Sequence, residues 1–313
     1  MLRLAVCLVV GLLAPQPANS ARRPAQVSQW MAAVVSVLPD WPPGSFNDEE
    51  PEGTGVAIFD GHTIITALHV VARARAIRVR TATGLILAAT LKARDHATDL
   101  AMLKIAHHLP VLRLGGDVVL GERVCALGNA FGLGLSLSCG TVSAVHRSGI
   151  GFNEIEDFVQ TDAAVNPGAS GGALLTDDGR LAGILSAIFT KKSDANLGVN
   201  FAVSAPLVKR VATQMFKVGA VKWRLGGVRL KAFPDRGGLG EMAAEVVAVM
   251  PGGAAERAGL QVGDRITGAG GRRVRKPEEF RAIMALAWPA RDVELIVTRS
   301  GESRTMSINP GQP

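Results

Sequence analysis

QTDAAVNPGASGG, residues 160–172, is the stretch on which the fold and the chemistry turn. Two glycines follow Ser170, and Gly168 stands two residues before it. Glycine there lets the backbone take conformations closed to residues with a Cβ, leaving the Ser170 hydroxyl and nearby N–H groups facing a substrate. A serine presented in this way attacks a carbonyl carbon while the N–H groups of Gly168 and Ser170 hold the developing oxyanion. The same composition also suits a plain surface turn. Residues upstream separate the two.

Serine catalysis needs a base to take the hydroxyl proton and a carboxylate to hold that base in one tautomer. Of the six histidines, His69 ends the strand-like TIITAL and precedes Val70 and Val71, so apolar strands would fix its ring; a core histidine is the competing interpretation. His96, His107, His108 and His146 lie in polar or turn contexts and are expected to be solvated. Asp99 opens DLAMLKI, an alternating strand after a polar turn, where a side chain can be aimed into a site. Asp95, four residues earlier in RDHATD, is the competing acid and is expected to face water. The order His69, Asp99, Ser170 is that of chymotrypsin-like proteases, in which two β-barrels share the triad across a cleft.

The rest of the chain suits that architecture. From about Gln26 to Phe201, short alternating runs such as AIRVRTATGLILAATL and GALLTDDGRLAGILSAIF lie between turn residues. Such spacing indicates antiparallel barrels, with no helix of consequence. Asp60-Gly61, Asp178-Gly179 and Gly115-Gly116 read as hairpin turns, and residues 39–53 as loop. Ser204 then caps a helix over 205–219, with Pro206 in its first turn and an apolar stripe of Leu207, Val208, Val211, Ala212, Met215 and Phe216 before Gly219. A smaller α+β unit follows. The expected division is a signal peptide at 1–20, a protease domain at 21–220 including the linker helix, and a third unit at 221–313.

Hydrophobic residues make up 48% of the 313 and exclude disorder. Residues 1–20 read as a secretory signal: Arg3, the apolar run LAVCLVVGLLA, and a cleavage site at Ala18-Asn19-Ser20. The run is short of the roughly 20 residues of a membrane span, so export to the periplasm or beyond is expected over anchoring. Cys125 and Cys139 flank GNAFGLG, and a hairpin turning at Gly132 would set them opposite each other, either as a disulfide or as two buried thiols. The sequence has no CxxC or HExxH motif, and neither a metal nor a cofactor is expected. The net charge of +7 is concentrated C-terminally, with 15 basic and 10 acidic residues over 221–313. The basic residues are not interleaved with aromatics, so no nucleic-acid partner is expected.

Four segments, TALHVV, ATDLAMLKI, GNAFGLG and QTDAAVNPGASGGALL, resemble in order and spacing those of the HtrA (Deg) family of serine proteases. The resemblance implies a mainly β fold: a chymotrypsin-like double six-stranded β-barrel followed by a small PDZ domain. It implies Ser170 as nucleophile, His69 as base and Asp99 as orienting carboxylate. It places Val165, Ser186, Ala187 and Ile188 in the primary specificity pocket, whose apolar character favours small aliphatic residues before the cut. Arg147 matches an arginine of the loop that senses PDZ occupancy. MPGGAAERAGLQVGDRI, residues 250–266, resembles a PDZ segment. On that basis Leu225, Gly226, Gly227 and Val228 match the carboxylate-binding loop, and Phe280 and Met284 either line the peptide groove or pack in the core. A homotrimer is implied by the family, with Trp30, Trp41 and Phe46 as candidate contacts unless Trp packs within a barrel.

The chain departs from the family at Ala169, where asparagine is usual. The leading interpretation is an ATP-independent endopeptidase acting on misfolded or unfolded proteins and gated by C-terminal peptides at the PDZ domain. The alternatives are a chaperone-like scaffold with little turnover and a binder of nucleic acid or membrane through Arg272, Arg273, Arg275 and Lys276.

Overall fold

Period-two alternation builds the first barrel. In the computed structural model, residues 22–42, 52–186, 198–233, 242–287 and 291–311 are described. The signal segment, Phe46, Ala187 and Ile188 lie outside the described residues. Helix α1 (Arg22–Ala32) leads into β1 (Val34–Asp40), followed by β2 (Gly53–Ile58), β3 (Thr63–Ala67), the one-turn helix α2 (Leu68–Val71), β4 (Ala76–Arg80), β5 (Ile86–Asp95) and β6 (Leu100–Ile105). The strands close in the order β1-β2-β3-β6-β5-β4. Every residue of β2 and β3 is buried. Alternate residues such as Val35, Ala57 and Ile64 fill the barrel, while Val34, Val56 and Ile65 face a second core shared with the rest of the molecule.

Helix α1 corrects the expectation that no helix of consequence lies between Gln26 and Phe201. Val27, Trp30 and Met31 form an i, i+3, i+4 stripe that packs into the shared core. Strand β1 likewise runs to Asp40, into what was expected to be loop.

The second barrel uses β7 (Arg113–Leu114), β8 (Arg123–Gly128), β9 (Ser136–Arg147), β10 (Phe158–Thr161), β11 (Ala173–Thr176), β12 (Arg180–Ser186) and β13 (Asn200–Ser204). Six of these follow the path β11-β8-β9-β10-β13-β12, and β12 pairs back onto β11 to close the ring. The Asp60-Gly61 and Asp178-Gly179 turns join hairpins as expected. Gly115-Gly116 does not: β7 pairs in parallel with β12, and the Gly115 N–H donates to the Leu181 carbonyl. Cys125 and Cys139 are direct partners on β8 and β9 and form a disulfide.

Helix α3 (Ala205–Val218) starts where the Leu207 N–H donates to the Ser204 hydroxyl and stops at Gly219, whose φ of +74° is left-handed. Leu207, Val208, Val211, Ala212 and Met215 enter the shared core. Phe216, expected in that stripe, is instead 46% exposed and lies against Phe59.

The C-terminal unit comprises β14 (Val228–Phe233), β15 (Ala243–Val249), α4 (Ala254–Arg257), β16 (Arg265–Ala269), β17 (Arg272–Arg273), α5 (Pro277–Ala287), β18 (Val293–Arg299) and β19 (Glu302–Ile308). Its sheet runs β14-β15-β16-β18-β19, so β14 is an edge. Helix α5 covers the sheet with Phe280, Ile283 and Met284 and turns Ala285 into the core shared with the barrels.

The Cys125–Cys139 bond closes a short loop, with a sequence separation of 14. Replacing both cysteines with serine is expected to lower unfolding free energy by about 3 kcal/mol, measured by urea denaturation. An unchanged midpoint would mean that the hairpin needs no staple.

Candidate active site

His69 is not at a strand end, as expected from sequence, but in α2, where the chain turns sharply after Ala67. That turn gives Asp99 two donors. The His69 backbone N–H donates to Oδ1 at 2.9 Å, and His69 Nδ1 lies 2.5 Å from Oδ2. An ionised carboxylate only accepts, so Nδ1 carries the proton and Nε2 is the basic nitrogen. The Leu68 N–H also donates to the Asp99 carbonyl at 2.7 Å. Asp99 makes these contacts from a left-handed backbone with φ of +57°, a conformation that costs about 1–3 kcal/mol for a residue other than glycine.

Ser170 is buried on a turn whose flanking glycines are required sterically. Gly168 has φ of +91°, and a Cβ there would collide with the Asn129 carbonyl oxygen. Gly171 has φ of +84°, and a Cβ there would collide with the Thr54 carbonyl and the Thr66 hydroxyl and sit 2.8 Å from the Ala67 nitrogen. The serine turn is therefore pressed against the end of β3, two residues before His69. The Phe131 N–H donates to the Pro167 carbonyl at 2.7 Å. A trans peptide holds its C=O and N–H on opposite sides. Fixing the Pro167 carbonyl toward the 129–133 turn thus directs the Gly168 N–H away from that turn.

Thr54 organises this seam, and sequence reasoning missed it. Its hydroxyl donates to the Gly168 carbonyl at 2.7 Å and accepts from the Asn129 N–H at 2.9 Å. Its N–H donates to the Ser170 carbonyl at 2.9 Å, and its carbonyl accepts from the Thr66 hydroxyl at 2.6 Å. The Asn129 side chain donates to Glu52 and accepts from the Gly134 N–H, which shapes the GNAFGLG turn. The one sequence signal for Thr54 is its place between Gly53 and Gly55, where a Cβ would strike Val70 and Ile64.

The remaining expected residues are more scattered. Val165 and Ser186 are buried in the second barrel. Arg147 ends β9, exposed, with its guanidinium Nε donating to Gln160. His146, expected to be solvated, instead pairs at 2.9 Å with the fully buried Asp157. Asp95, expected to face water, is 7% exposed. In the C-terminal unit, Leu225 packs against both its own core and the shared one. The carbonyls of Gly226 and Gly227 accept from Ala255 and Met250, and Val228 opens the edge strand β14. Phe280 and Met284 are 1% and 0% exposed and belong to the core of the C-terminal unit. Among the described residues, no cluster suits a metal ion and no helix is long and apolar enough to cross a membrane.

Two barrels with a buried serine turn and a histidine–aspartate pair at their seam, followed by a small open sheet with β14 at an edge, define a trypsin-like serine peptidase joined to a PDZ unit. Residues 53–184 match the trypsin-like peptidase domain and residues 245–299 the PDZ domain. A probable periplasmic serine endoprotease DegP-like of Halomonas elongata is 35% identical over 281 residues, covering 86% of this chain and 59% of that protein. The periplasmic pH-dependent serine endoprotease DegQ of Escherichia coli is 33% identical over 285 residues, covering 87% and 61%. The chain thus spans less than two thirds of these relatives. The HtrA-type protease AlgW with tripeptide superposes with a TM-score of 0.68 at 32% identity, covering 91% of this chain and 95% of that one. The chain belongs to the HtrA (DegP-like) family of serine endoproteases.

Thr54→Val keeps the β-branched shape but leaves the Gly168 carbonyl and the Asn129 N–H without their partner. It is expected to cost about 1–3 kcal/mol and to slow labelling of Ser170 by a fluorophosphonate, with Thr54→Ser restoring the rate. Equal labelling of the valine variant and the native protein would remove Thr54 from any role in shaping the turn.

Proposed function

We propose that this chain is an exported, periplasmic, ATP-independent serine endopeptidase that degrades unfolded or misfolded proteins as part of protein quality control. The observation that carries this reading is the double hold of Asp99 on His69, from an acid turn set beside the Ser170 turn. Ser170 Oγ attacks the scissile carbonyl as His69 Nε2 takes its proton, and the N–H groups of Gly168 and Ser170 receive the oxyanion. His69 then protonates the leaving amine. Water, deprotonated by the same imidazole, attacks the acyl-enzyme and restores Ser170. Asp99 stays ionised and stabilises the imidazolium.

Val165, with Ser186, Ala187 and Ile188, gives the primary pocket no carboxylate, which supports cleavage after small aliphatic residues. In the C-terminal unit, a substrate or activating peptide adds to the free edge of β14. Its carboxylate meets the N–H groups of the 225–228 loop, where the carbonyls of Gly226 and Gly227 are turned onto other partners. Leu225 touches both cores, which supports coupling of that loop to the protease site, while the regulatory role of Arg147 rests on the family alone. Assembly as a homotrimer rests on the family alone. Trp30 is buried in its own subunit's core, which leaves Trp41 and Phe46 as candidate contacts. Three of the four basic residues have partners within the chain, Arg272 with Asp157, Arg275 with Glu279 and Lys276 with the Gly149 carbonyl, which favours protein over nucleic-acid partners.

The native chain is expected to cleave unfolded casein, with faster cleavage when hydrophobic C-terminal peptides are added. Ser170→Ala is expected to abolish cleavage, and Asp99→Asn to lower kcat by about 10⁴-fold. Casein cleavage that survives Ser170→Ala would overturn the assignment.

A further inference from the structure

Asp95 ends β5 and pairs with Leu100, the first residue of β6, so it stands at the foot of the turn that presents Asp99. Its carboxylate accepts twice. The Thr98 hydroxyl donates to Oδ2 at 2.6 Å from inside the turn, and the Trp223 indole N–H donates to Oδ1 at 2.9 Å from the connector between α3 and β14. Thr98 is fully buried and adjoins Asp99. The guanidinium of Arg210 lies 4.4 Å from the centre of the Trp223 ring. Burial lowers the Arg210 pKa to about 10 against the opposing pull of Asp95.

We propose that Asp95 and Trp223 are positioning residues for the reaction: they clamp the 96–99 turn so that Asp99 keeps its left-handed backbone and its two bonds to His69. This rests on Asp99 being the orienting carboxylate, as read above. The need for a clamp follows from the strain. A non-glycine left-handed residue persists only where its surroundings over-determine it, and a four-residue turn supplies few bonds of its own. A second brace comes from the loop before β10, where the Ile155 N–H donates to the Ala97 carbonyl and the Asn153 amide to the Thr98 carbonyl. The Asp95–Trp223 contact differs in reaching the chain that leads into the C-terminal sheet.

The test uses the full chain with Asp95→Ala, Trp223→Phe and Asp95→Asn, well below each variant's Tm. Asparagine keeps an oxygen for the indole N–H and an amide that the Thr98 hydroxyl can accept. On a peptide substrate, Asp95→Ala is expected to lose about 10- to 100-fold in kcat with little change in KM. Trp223→Phe loses less, and Asp95→Asn recovers most of the rate. The low-field proton resonance of His69 Nδ1–H is expected to shift or broaden in Asp95→Ala and to return in Asp95→Asn. A folded Asp95→Ala protein with native kcat and an unmoved resonance overturns the proposal, as does a loss that asparagine fails to rescue. If the native protein shows no Ser170-dependent turnover, the protease reading fails instead, and the His69 resonance still decides whether Asp95 positions the pair.

Discussion

The seam at Thr54 is the constraint from which the site follows. A strand of the first barrel there uses its N–H and its hydroxyl on groups that shape the serine turn of the second, while its carbonyl is held by Thr66 of its own barrel. Few residues could do this. The hydroxyl must donate to one partner and accept from another, which threonine and serine allow, and the β-branch restricts χ1 on a fully buried strand. Catalytic geometry is therefore a property of the contact between barrels. Neither barrel alone would fix the Gly168 carbonyl relative to Ala67.

The acid is held by a different logic. Asp99 sits on a tight turn whose backbone conformation is unfavourable, and its support comes from three directions: α2 above it, the 150–157 loop beside it and the Trp223 connector below. The 150–157 loop is itself wound around Glu156, whose carboxylate accepts from the N–H groups of Ile150, Gly151, Phe152 and Asn153. A carboxylate that satisfies four backbone donors stiffens a segment with no sheet partner of its own. This segment and the residue before it meet the C-terminal unit through Lys276 on the Gly149 carbonyl and Arg272 at 3.8 Å from Asp157. The acid turn and the PDZ unit thus share neighbours on two sides.

The barrels, the PDZ-like sheet and the approach of His69 to Asp99 were legible because they rest on local signals: alternation, turn glycines, a capped amphipathic helix and short motifs in order. What escaped was long-range. Thr54 and Asn129 are 75 residues apart and carry no motif of their own. Asp95 reads as a surface acid because its turn is polar, and its burial depends on an indole 128 residues away. His146 fails for the same reason, since its buried partner lies on the far side of a loop. Helix α1 was hidden because three apolar residues at helical spacing are a faint signal beside a strand pattern. Phe216 continues the stripe of α3 in sequence but meets Phe59 at the rim, where the core has ended.

Ala169 is a departure from the family pattern beside Ser170, and its surroundings explain why a small side chain fits. It is 5% exposed, packs in the second barrel's core and faces Gly128, where a Cβ would approach its Cα and Cβ to 3.0 Å. The turn is shaped by backbone bonds on either side: the Ala169 N–H to the Asn166 carbonyl, and the Gly172 N–H to the Ala169 carbonyl. Neither bond involves the side chain at 169. The conformation that sets the Gly168 N–H depends instead on Phe131 and Thr54, which act on the flanking carbonyls. The strained glycine turns, the left-handed aspartate and the fully committed threonine are set by these backbone and seam contacts. Substitution at 169 touches none of these, so the departure gives no support to a protein that binds without cutting.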